Sequence, residues 1–359
     1  TQPFSVCHLL TRLKRCSVMC HDTRSAGGRL ARIMEEIRTE IVLWFSAVIV
    51  IGLVALVWSA DKFVEGASAI AERAGLTPMM IGLTIVSVGT SAPEILISVM
   101  SALSGSGELA VGNALGSNIA NVGLVLGITL LVKSISLNKR STFVDLPLLV
   151  LVVIVTGALL FDLALSRGDS LVLLGVLGLF FLHIILNGQV SPSKSEVAPI
   201  PTLSPLAAWL TFLGGLGLLI ASSRALVWAA SQVASALGVS ELLIGLTIVA
   251  VGTSLPELAA SVMSALKGRA DMAIGAIIGS NMFNLLLVLA IPGFWGTLHL
   301  QAEVLHRDLV AVFVTTLVLA LAALSGWNRE SGVSTLTRYT GVVLLALYVA
   351  YYLWLFATP

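Results

Sequence analysis

Residues 82–94 read GLTIVSVGTSAPE, and residues 245–257 read GLTIVAVGTSLPE. Each stretch is apolar enough to lie in a membrane, yet each ends in a proline followed by a glutamate. At a constant offset of 163, residues 82–129 match residues 245–292 at 28 of 48 positions without a gap. The chain therefore contains an internal repeat, and an account of its function must explain why both copies place an acid inside an apolar run.

The composition is that of a membrane protein. Of the 359 residues, 57% are hydrophobic and 11% are charged, whereas soluble domains carry about a quarter charged residues. Apolar stretches of about 20 residues, long enough to cross a hydrocarbon core of about 30 Å, recur along almost the whole chain. They are apolar all round and do not alternate, which excludes barrel strands. We predict an all-α polytopic membrane protein.

The apolar stretches divide the chain into two halves of five spans. We expect a polar, disordered N-terminal extension at 1–40, a first five-helix repeat at 41–187, a Pro- and Ser-rich linker at 188–203 and a second repeat at 204–359. Because five is an odd number, the second half enters the membrane from the opposite side, which makes an inverted repeat of about ten transmembrane helices. The predicted spans lie near 41–60, 79–103, 109–132, 145–165, 169–187, 204–222, 240–266, 271–297, 308–325 and 339–356.

Two segments predict unusually long helices. Residues 61–74 and their counterpart 224–237 continue spans 1 and 6 without a breaker, as long, tilted or amphipathic helices. The loops on the face opposite the termini hold most of the loop lysines and arginines, which predicts termini outside the cytoplasm. The basic N-terminal extension argues for the reverse orientation. We expect the loop charges to determine the orientation, because the loops are distributed over the whole fold.

Glu94 and Glu257 are the most central acids of the two halves. A carboxylate at membrane depth costs several kcal/mol unless it is paired, protonated or bound to a cation. The alternative, a structural hydrogen bond within the bundle, does not explain why the acid recurs at matched places. Acids nearer the span ends, including Asp61 and Asp145, can reach water or the interface, and we expect them to be solvated rather than functional.

A proline precedes each central acid. Pro93 and Pro256 lack the backbone donor that would bond the carbonyl four residues earlier, so the helix is expected to loosen near Gly89 and Gly252. Broken helices build cation sites inside membranes in this way, from freed carbonyls and nearby hydroxyls. The hydroxyls beside the two breaks belong to Thr90, Ser91, Thr253 and Ser254.

A third shared element follows about 20 residues later, where GNALGSNIAN at 112–121 corresponds to GAIIGSNMFN at 275–284. Each stretch places a serine and an asparagine four residues apart on one helix face, and small residues let helices approach closely. By itself this pattern is typical of plain helix packing, but beside the glutamates it predicts the far wall of the same cavity. The polar residues are Ser117, Asn121, Ser280 and Asn284, and the glycines are 112, 116, 275 and 279.

The predicted ligands are all oxygen atoms. Hard cations prefer oxygen, and Ca²⁺ accepts six to eight such ligands in flexible geometry, whereas zinc and copper favour nitrogen and sulfur. Two carboxylates balance one divalent cation, or about two monovalent cations or protons, so Ca²⁺, Na⁺ and H⁺ all remain candidates. The five histidines lie away from the repeats and all three cysteines lie within the first twenty residues. We therefore expect neither catalysis nor a cofactor, and no nucleic-acid binding.

The motifs GTSAPE and GTSLPE, each followed by a GSN-x-x-N stretch, resemble the two α-repeats of the cation/calcium antiporter superfamily, in particular the sodium/calcium exchanger branch and its bacterial inner-membrane homologues. The resemblance implies an ion site at the membrane midplane among spans 2, 3, 7 and 8, with spans 1 and 6 sliding to alternate access. It assigns ligand roles to the residues named above and adds the backbone carbonyls of Ser87 and Ala250. Some members carry an aspartate where this chain has Asn121 or Asn284, which leaves the counter-ion open.

We therefore predict a secondary-active antiporter that exchanges Ca²⁺ for Na⁺ by alternating access. The alternative is Ca²⁺/H⁺ exchange, or K⁺-dependent exchange, through the same glutamates. A channel is less well supported, because nothing in the sequence supplies a filter ring. The partners are expected to be the transported ions and the lipid bilayer of a bacterial or archaeal inner membrane, and the protein is expected to work as a monomer.

Overall fold

The computed structural model describes residues 23–187, 203–239, 248 and 250–357, and the other residues lie outside this description. The helices are α1 (Thr23–Ala74), α2 (Pro78–Thr90), α3 (Ala92–Leu103), α4 (Gly107–Val132), α5 (Ser141–Leu159), α6 (Arg167–Asn187), α7 (Pro205–Ala236), α8 (Ala250–Thr253), α9 (Leu255–Leu266), α10 (Ala270–Gly293), α11 (Val304–Ser325) and α12 (Arg338–Ala357).

The structure confirms an all-α polytopic membrane protein. Among the described residues, eight helices are long and apolar enough to cross a membrane, and the bent pair α2–α3 makes a ninth span. The short apolar helix α9 occupies the second part of the predicted span 240–266, most of whose first part lies outside the described residues. The order of elements is consistent with two inverted halves of five spans.

We name the two membrane faces by the chain segments that they carry. The terminal face carries the start of α1, the turn between α3 and α4 and the end of α12. The linker face carries the end of α6 and the start of α7.

The first helix begins earlier than the sequence predicts. The expected disordered extension covers residues 1–40, whereas α1 begins at Thr23 and continues without interruption to Ala74. Residues 28–40, GRLARIMEEIRTE, contain no proline and several strong helix formers, so nothing separates them from the apolar run that follows. Residues 1–22 and nearly all of the linker lie outside the described residues.

The two long helices α1 and α7 cross in close contact. A Cβ atom added to Gly66 would lie 2.4 Å from the backbone nitrogen of Phe212, and one added to Gly215 would lie 2.5 Å from that of Phe63. The Phe63 and Phe212 rings stack beside the crossing with centroids 5.1 Å apart. Glycine at these two places therefore permits the crossing, and the predicted extension of spans 1 and 6 is confirmed.

The linker-face half of α1 also contacts the turn that follows α9. Lys267 Nζ lies 2.7 Å from Asp61 Oδ1 and 3.2 Å from the Asp61 carbonyl oxygen. Two residues later, Arg269 donates to the Val64 carbonyl over 3.5 Å. These contacts hold α1 against the second repeat.

Helices α4 and α10 form the centre of the bundle. In their most apolar windows, 72% of α4 and 89% of α10 is buried by the rest of the protein, compared with 17% for α1 and for α12. The outer helices therefore face lipid, whereas α4 and α10 present polar residues to a protein interior.

Two small antiparallel sheets join the repeats. Strand β1 (Ile135–Asn138) pairs with β5 (Val333–Leu336), which also pairs with β4 (Trp327–Asn328), on the linker face. On the terminal face, β2 (Ala164–Leu165) pairs with β3 (Leu298–His299). Each sheet uses residues from both halves, so the halves are connected at both faces.

Candidate cation site

The two serines of the GTS motifs mark interruptions in the helices. Ser91 separates α2 from α3 with φ −80° and ψ 5°, and the two helices bend by 46° at this residue. Ser254 separates α8 from α9 with a nearly equal φ of −90° and ψ of 5°. Pro93 and Pro256 lie in the first turn of the helix that follows, where a missing backbone donor is tolerated. The loosening predicted near Gly89 and Gly252 is therefore found in both repeats, two residues later, at Ser91 and Ser254.

The two glutamates lie in the first turns of α3 and α9. Glu94 is 1% exposed and Glu257 is 4% exposed. A helix N-terminus carries a partial positive charge, which favours a carboxylate there. The two carboxylates are close enough to repel each other when both are ionised, and Glu257 lies beside the hydroxyls of Thr90 and Ser91. Neither Glu257 oxygen has a hydrogen-bond partner among the described residues.

Contacts between helices position the polar groups around the glutamates. The Thr90 and Ser280 hydroxyl oxygens lie 3.5 Å apart and connect α2 with α10. Asn113 on α4 donates to the backbone carbonyl of Glu94 over 3.3 Å. The interruption in the first repeat is thus attached to a helix of each half.

Close packing between α2 and α10 depends on two glycines of the second repeat. A Cβ atom at Gly275 would lie 2.6 Å from the Met79 carbonyl oxygen, and one at Gly279 would lie 2.6 Å from that of Leu83. This confirms the predicted role of these glycines. The matching role of glycines 112 and 116 stays a prediction, because the segment that corresponds to α2 in the second repeat lies largely outside the described residues.

Several buried oxygen atoms of the glutamates, of the serines at the two interruptions and of Asn121 and Asn284 have no hydrogen-bond partner in the described part of the chain. Buried polar groups in proteins are nearly always paired, so unpaired buried oxygens need a physical reason. A cation held among them would supply one, because a cation accepts lone pairs from several oxygens at once. The atoms are Ser91 Oγ, Glu94 Oε2, Asn121 Oδ1, Ser254 Oγ, Glu257 Oε1 and Oε2, and Asn284 Oδ1.

Nearly all of the predicted site residues are buried. Thr253 is half-buried, and the Ala250 side chain is not described, although its backbone lies in α8. The contacts above join Thr90, Ser280 and the glutamates, whereas the ligand role of each residue remains a prediction. The buried members are Ser87, Thr90, Ser91, Glu94, Ser117, Asn121, Ser254, Glu257, Ser280 and Asn284.

The sequence analysis missed a line of serines beyond each glutamate. Ser98 and Ser101 follow Glu94 by four and seven residues, so they share its helix face, and both are buried. Ser98 donates to the Val288 carbonyl over 2.7 Å. The corresponding residues of the second repeat, Ser261 and Ser264, are each 1% exposed and have no partner within the described structure. The four- and seven-residue spacing from the glutamates was the available signal.

The expectation for Asp145 was wrong. We predicted that this acid reaches water, but it is 2% exposed and lies 3.6 Å from Arg140 Nε. Asp308, at the corresponding place in the second repeat, receives hydrogen bonds from Arg307 and from the Tyr351 hydroxyl. Hydropathy does not reveal this burial, because both acids lie near the starts of their helices, where an acid ordinarily meets the membrane interface.

Comparison with protein families decides the relationship. The model of the family described as "Sodium/calcium exchanger protein" matches residues 44–186 and 207–357, which is most of the chain. The chain belongs to the sodium/calcium exchanger family. Members of this family are transporters that exchange cations, and the chain is accordingly a multi-pass membrane protein of the cation/calcium antiporter type.

Individual members of the family align with this chain over nearly their whole length. CaxA from Alkalimonas amylolytica is 42% identical over 86% of this chain and 98% of its own. The inner membrane protein YrbG from Escherichia coli is 35% identical over 85% of this chain and 97% of its own. Among solved structures, the sodium-calcium exchanger NCX_Mj superposes with a TM-score of 0.73 at 30% identity, covering 86% of this chain and 98% of that one.

Proposed function

We propose that this protein exchanges Ca²⁺ for Na⁺ by alternating access at an oxygen-lined site between Glu94 and Glu257. The observation that carries the proposal is the set of buried, unpaired oxygen atoms that both repeats contribute, which includes Glu94 Oε2 and both carboxylate oxygens of Glu257. A further relative, MaX1 from Methanosarcina acetivorans, is named a sodium/calcium exchanger and is 29% identical over 86% of this chain.

Charge balance explains why the ions compete. Two ionised carboxylates close together in a protein interior repel each other and lose most of their hydration, so the empty site is unfavourable. One Ca²⁺ compensates both charges, and about two Na⁺ ions or two protons do the same. Occupancy by one kind of cation therefore excludes the other. The rearrangement of α1 and α7 that exposes the site to the opposite membrane face takes place when the site is occupied and neutral.

Backbone and amide oxygens complete the proposed site. The Ser87 and Ala250 carbonyls lie one turn before the interruptions, and Asn121 and Asn284 lie on the central helices α4 and α10. Ca²⁺ in proteins accepts carbonyl and amide oxygens readily alongside carboxylates. Because both asparagines are neutral, the site holds two formal negative charges. Counter-ions with a total charge of two are therefore expected to replace each Ca²⁺ at the site.

One observation also supports Ca²⁺/H⁺ exchange. With asparagine at both positions 121 and 284, protonation of the two glutamates alone neutralises the site, so protons substitute fully for metal ions. The two functions differ in the gradient that drives transport.

The decisive experiment is ⁴⁵Ca²⁺ uptake into proteoliposomes with the sodium and proton gradients imposed separately. An outward-directed Na⁺ gradient, with equal pH on both sides, is expected to drive ⁴⁵Ca²⁺ uptake. Uptake driven by a pH gradient in the absence of Na⁺, with no response to Na⁺, would replace the proposed counter-ion with H⁺. No counter-ion-dependent uptake under either gradient would refute antiport.

A further inference from the structure

Ser223 on α7 makes a hydrogen bond to the interrupted helix of the second repeat. Its hydroxyl donates to the Gly252 carbonyl over 3.0 Å, and the serine is 3% exposed. Gly252 lies four residues before Pro256, so its carbonyl is the one that the proline deprives of a backbone donor. A residue of the long helix therefore satisfies a carbonyl directly beside Thr253 and Ser254.

The first repeat lacks this contact. At the offset of 163, Ala60 corresponds to Ser223 and Gly89 corresponds to Gly252. Alanine has no hydroxyl, so residue 60 of α1 cannot donate to the Gly89 carbonyl in the way that Ser223 donates to Gly252. The neighbour also differs, because a Cβ atom at Gly252 would meet Val227 at 2.0 Å, whereas one at Gly89 would meet Leu216 at 3.2 Å.

The space beside the two interruptions differs as well. A largely open, apolar groove of about 400 Å³ lies beside Gly252 in the terminal-face half of the protein, between α1, α7 and α8, and Leu53 and Val227 belong to its wall. The corresponding place in the linker-face half is filled by the stacked rings of Phe63 and Phe212. The packing of α1 against α7 is therefore looser beside Gly252 than in the linker-face half, and on this basis we take the structure as the conformation open toward the terminal face.

We propose that Ser223 is a positioning residue that holds the second-repeat interruption to α7 in the present conformation and thereby biases the protein toward it. The proposal rests on the proposed function, because it assumes that α1 and α7 move relative to the interruptions during transport. When α7 moves, the bond to Gly252 breaks. When α1 takes the corresponding position against the first repeat, Ala60 forms no bond to replace it.

The size of the bias follows from the net value of one buried hydrogen bond. Such a bond contributes a factor of about five to an equilibrium between two conformations. In a two-state exchanger, the apparent affinity at each face scales with the fraction of protein that is open to that face. The ratio of the half-saturating Ca²⁺ concentrations at the two faces is therefore expected to change by the same factor of about five.

The matched variants use the repeat symmetry. S223A removes the bond and S223T retains a hydroxyl. A60S offers a new hydroxyl to the Gly89 carbonyl in the opposite conformation, so it is expected to move the ratio in the same direction as S223A. S222A is the control, because Ser222 is a neighbouring buried serine that donates to the Leu219 carbonyl of its own helix over 3.1 Å.

The test is Ca²⁺/⁴⁵Ca²⁺ self-exchange in right-side-out and inside-out membrane vesicles, which needs neither a sodium nor a proton gradient. S223A is expected to raise the half-saturating Ca²⁺ concentration at the terminal face about five-fold relative to that at the linker face. A60S is expected to change this ratio by the same factor in the same direction. The double variant S223A/A60S is expected to change it about 25-fold. S223T and S222A are expected to stay within two-fold of the wild type.

Two failures are distinguishable. Absence of self-exchange in the wild type would refute the proposed function. If the wild type is active and S223A leaves the ratio within two-fold, lowers only the maximal rate at both faces, or moves the ratio no further than S222A, then Ser223 does not position the interruption. Thermal unfolding of each variant in detergent confirms that the comparison is made on folded protein.

Discussion

Replacing Gly279 with alanine tests whether the contact between α2 and α10 positions the candidate site. The added Cβ would lie 2.6 Å from the Leu83 carbonyl oxygen and 2.6 Å from Ser87 Oγ, about 0.8 Å short of ordinary contact, which begins at 3.4 Å. Neither neighbour has a flexible end that moves freely, because one is backbone and Ser87 Oγ donates to the Leu83 carbonyl over 2.9 Å. The helices must therefore separate locally.

Two opposing terms set the expected stability. Overpacking a close contact costs about 1–3 kcal/mol, whereas replacing a helical glycine by alanine contributes about 0.5–1 kcal/mol in the other direction. We expect a net loss of about 0.5–2 kcal/mol. The same displacement moves the Ser87 carbonyl and lengthens the 3.5 Å contact between Thr90 and Ser280, so we expect apparent Ca²⁺ affinity to fall about tenfold.

The assay combines thermal unfolding in detergent with ⁴⁵Ca²⁺ uptake into proteoliposomes. Gly217 on α7 is the control, because a Cβ atom there meets nothing within 4 Å among the described residues. G217A is expected to keep wild-type affinity and to be equally or slightly more stable. If G279A matches G217A in both measurements, the close contact does not position the site.

Three further predictions concern charge and helix breaks. N284D adds a third carboxylate, so a Ca²⁺-loaded site keeps one negative charge unless it takes up a proton. At low pH, Ca²⁺ self-exchange by this variant is expected to match the wild type. As the pH rises and the introduced carboxylate ionises, self-exchange is expected to fall about tenfold. P256A restores a backbone donor to the interruption and is expected to unfold at an unchanged or higher temperature while losing at least about 90% of Ca²⁺ uptake. K267M removes the nearer of the two lysines that pair with Asp61, the other being Lys62 at 4.0 Å. Because the Lys267–Asp61 pair is part-exposed, its loss is expected to cost under about 1 kcal/mol in thermal unfolding and to abolish part of the salt dependence of stability. An unchanged salt response would show that the pair is already screened.

The repeated GTS-x-P-E motif predicts much of the site. It predicts a loosened helix near Gly89 and Gly252, two residues before the interruptions at Ser91 and Ser254, and it predicts that Glu94 and Glu257 are shielded, because a proline inside an apolar run has few structural solutions and an acid beside it must be shielded. The length of α1 and α7 also follows from the unbroken stretches that continue spans 1 and 6. Features that have few structural solutions, such as a proline in an apolar run or an unbroken apolar helix, can therefore be predicted from the sequence.

Other features depend on which face of a helix meets lipid, and hydropathy does not encode this. Val54 and Val57 of α1 are 67% and 56% exposed, whereas Val64 of the same helix is fully buried. The burial of Asp145 and the bond from Ser223 to Gly252 both result from such tertiary placement. Strands of two to four residues in the two small sheets are too short to produce a readable alternation.

The central claim is that the two buried glutamates are neutralised in turn by competing cations. The most direct measurement is Ca²⁺/⁴⁵Ca²⁺ self-exchange by the wild type, E94Q and E257Q in proteoliposomes, with S222A as a folded control. Removing either carboxylate leaves one charge for a divalent ion, so both variants are expected to lose at least about 99% of self-exchange while unfolding near the wild-type temperature. Full Ca²⁺ self-exchange by E257Q would contradict the account.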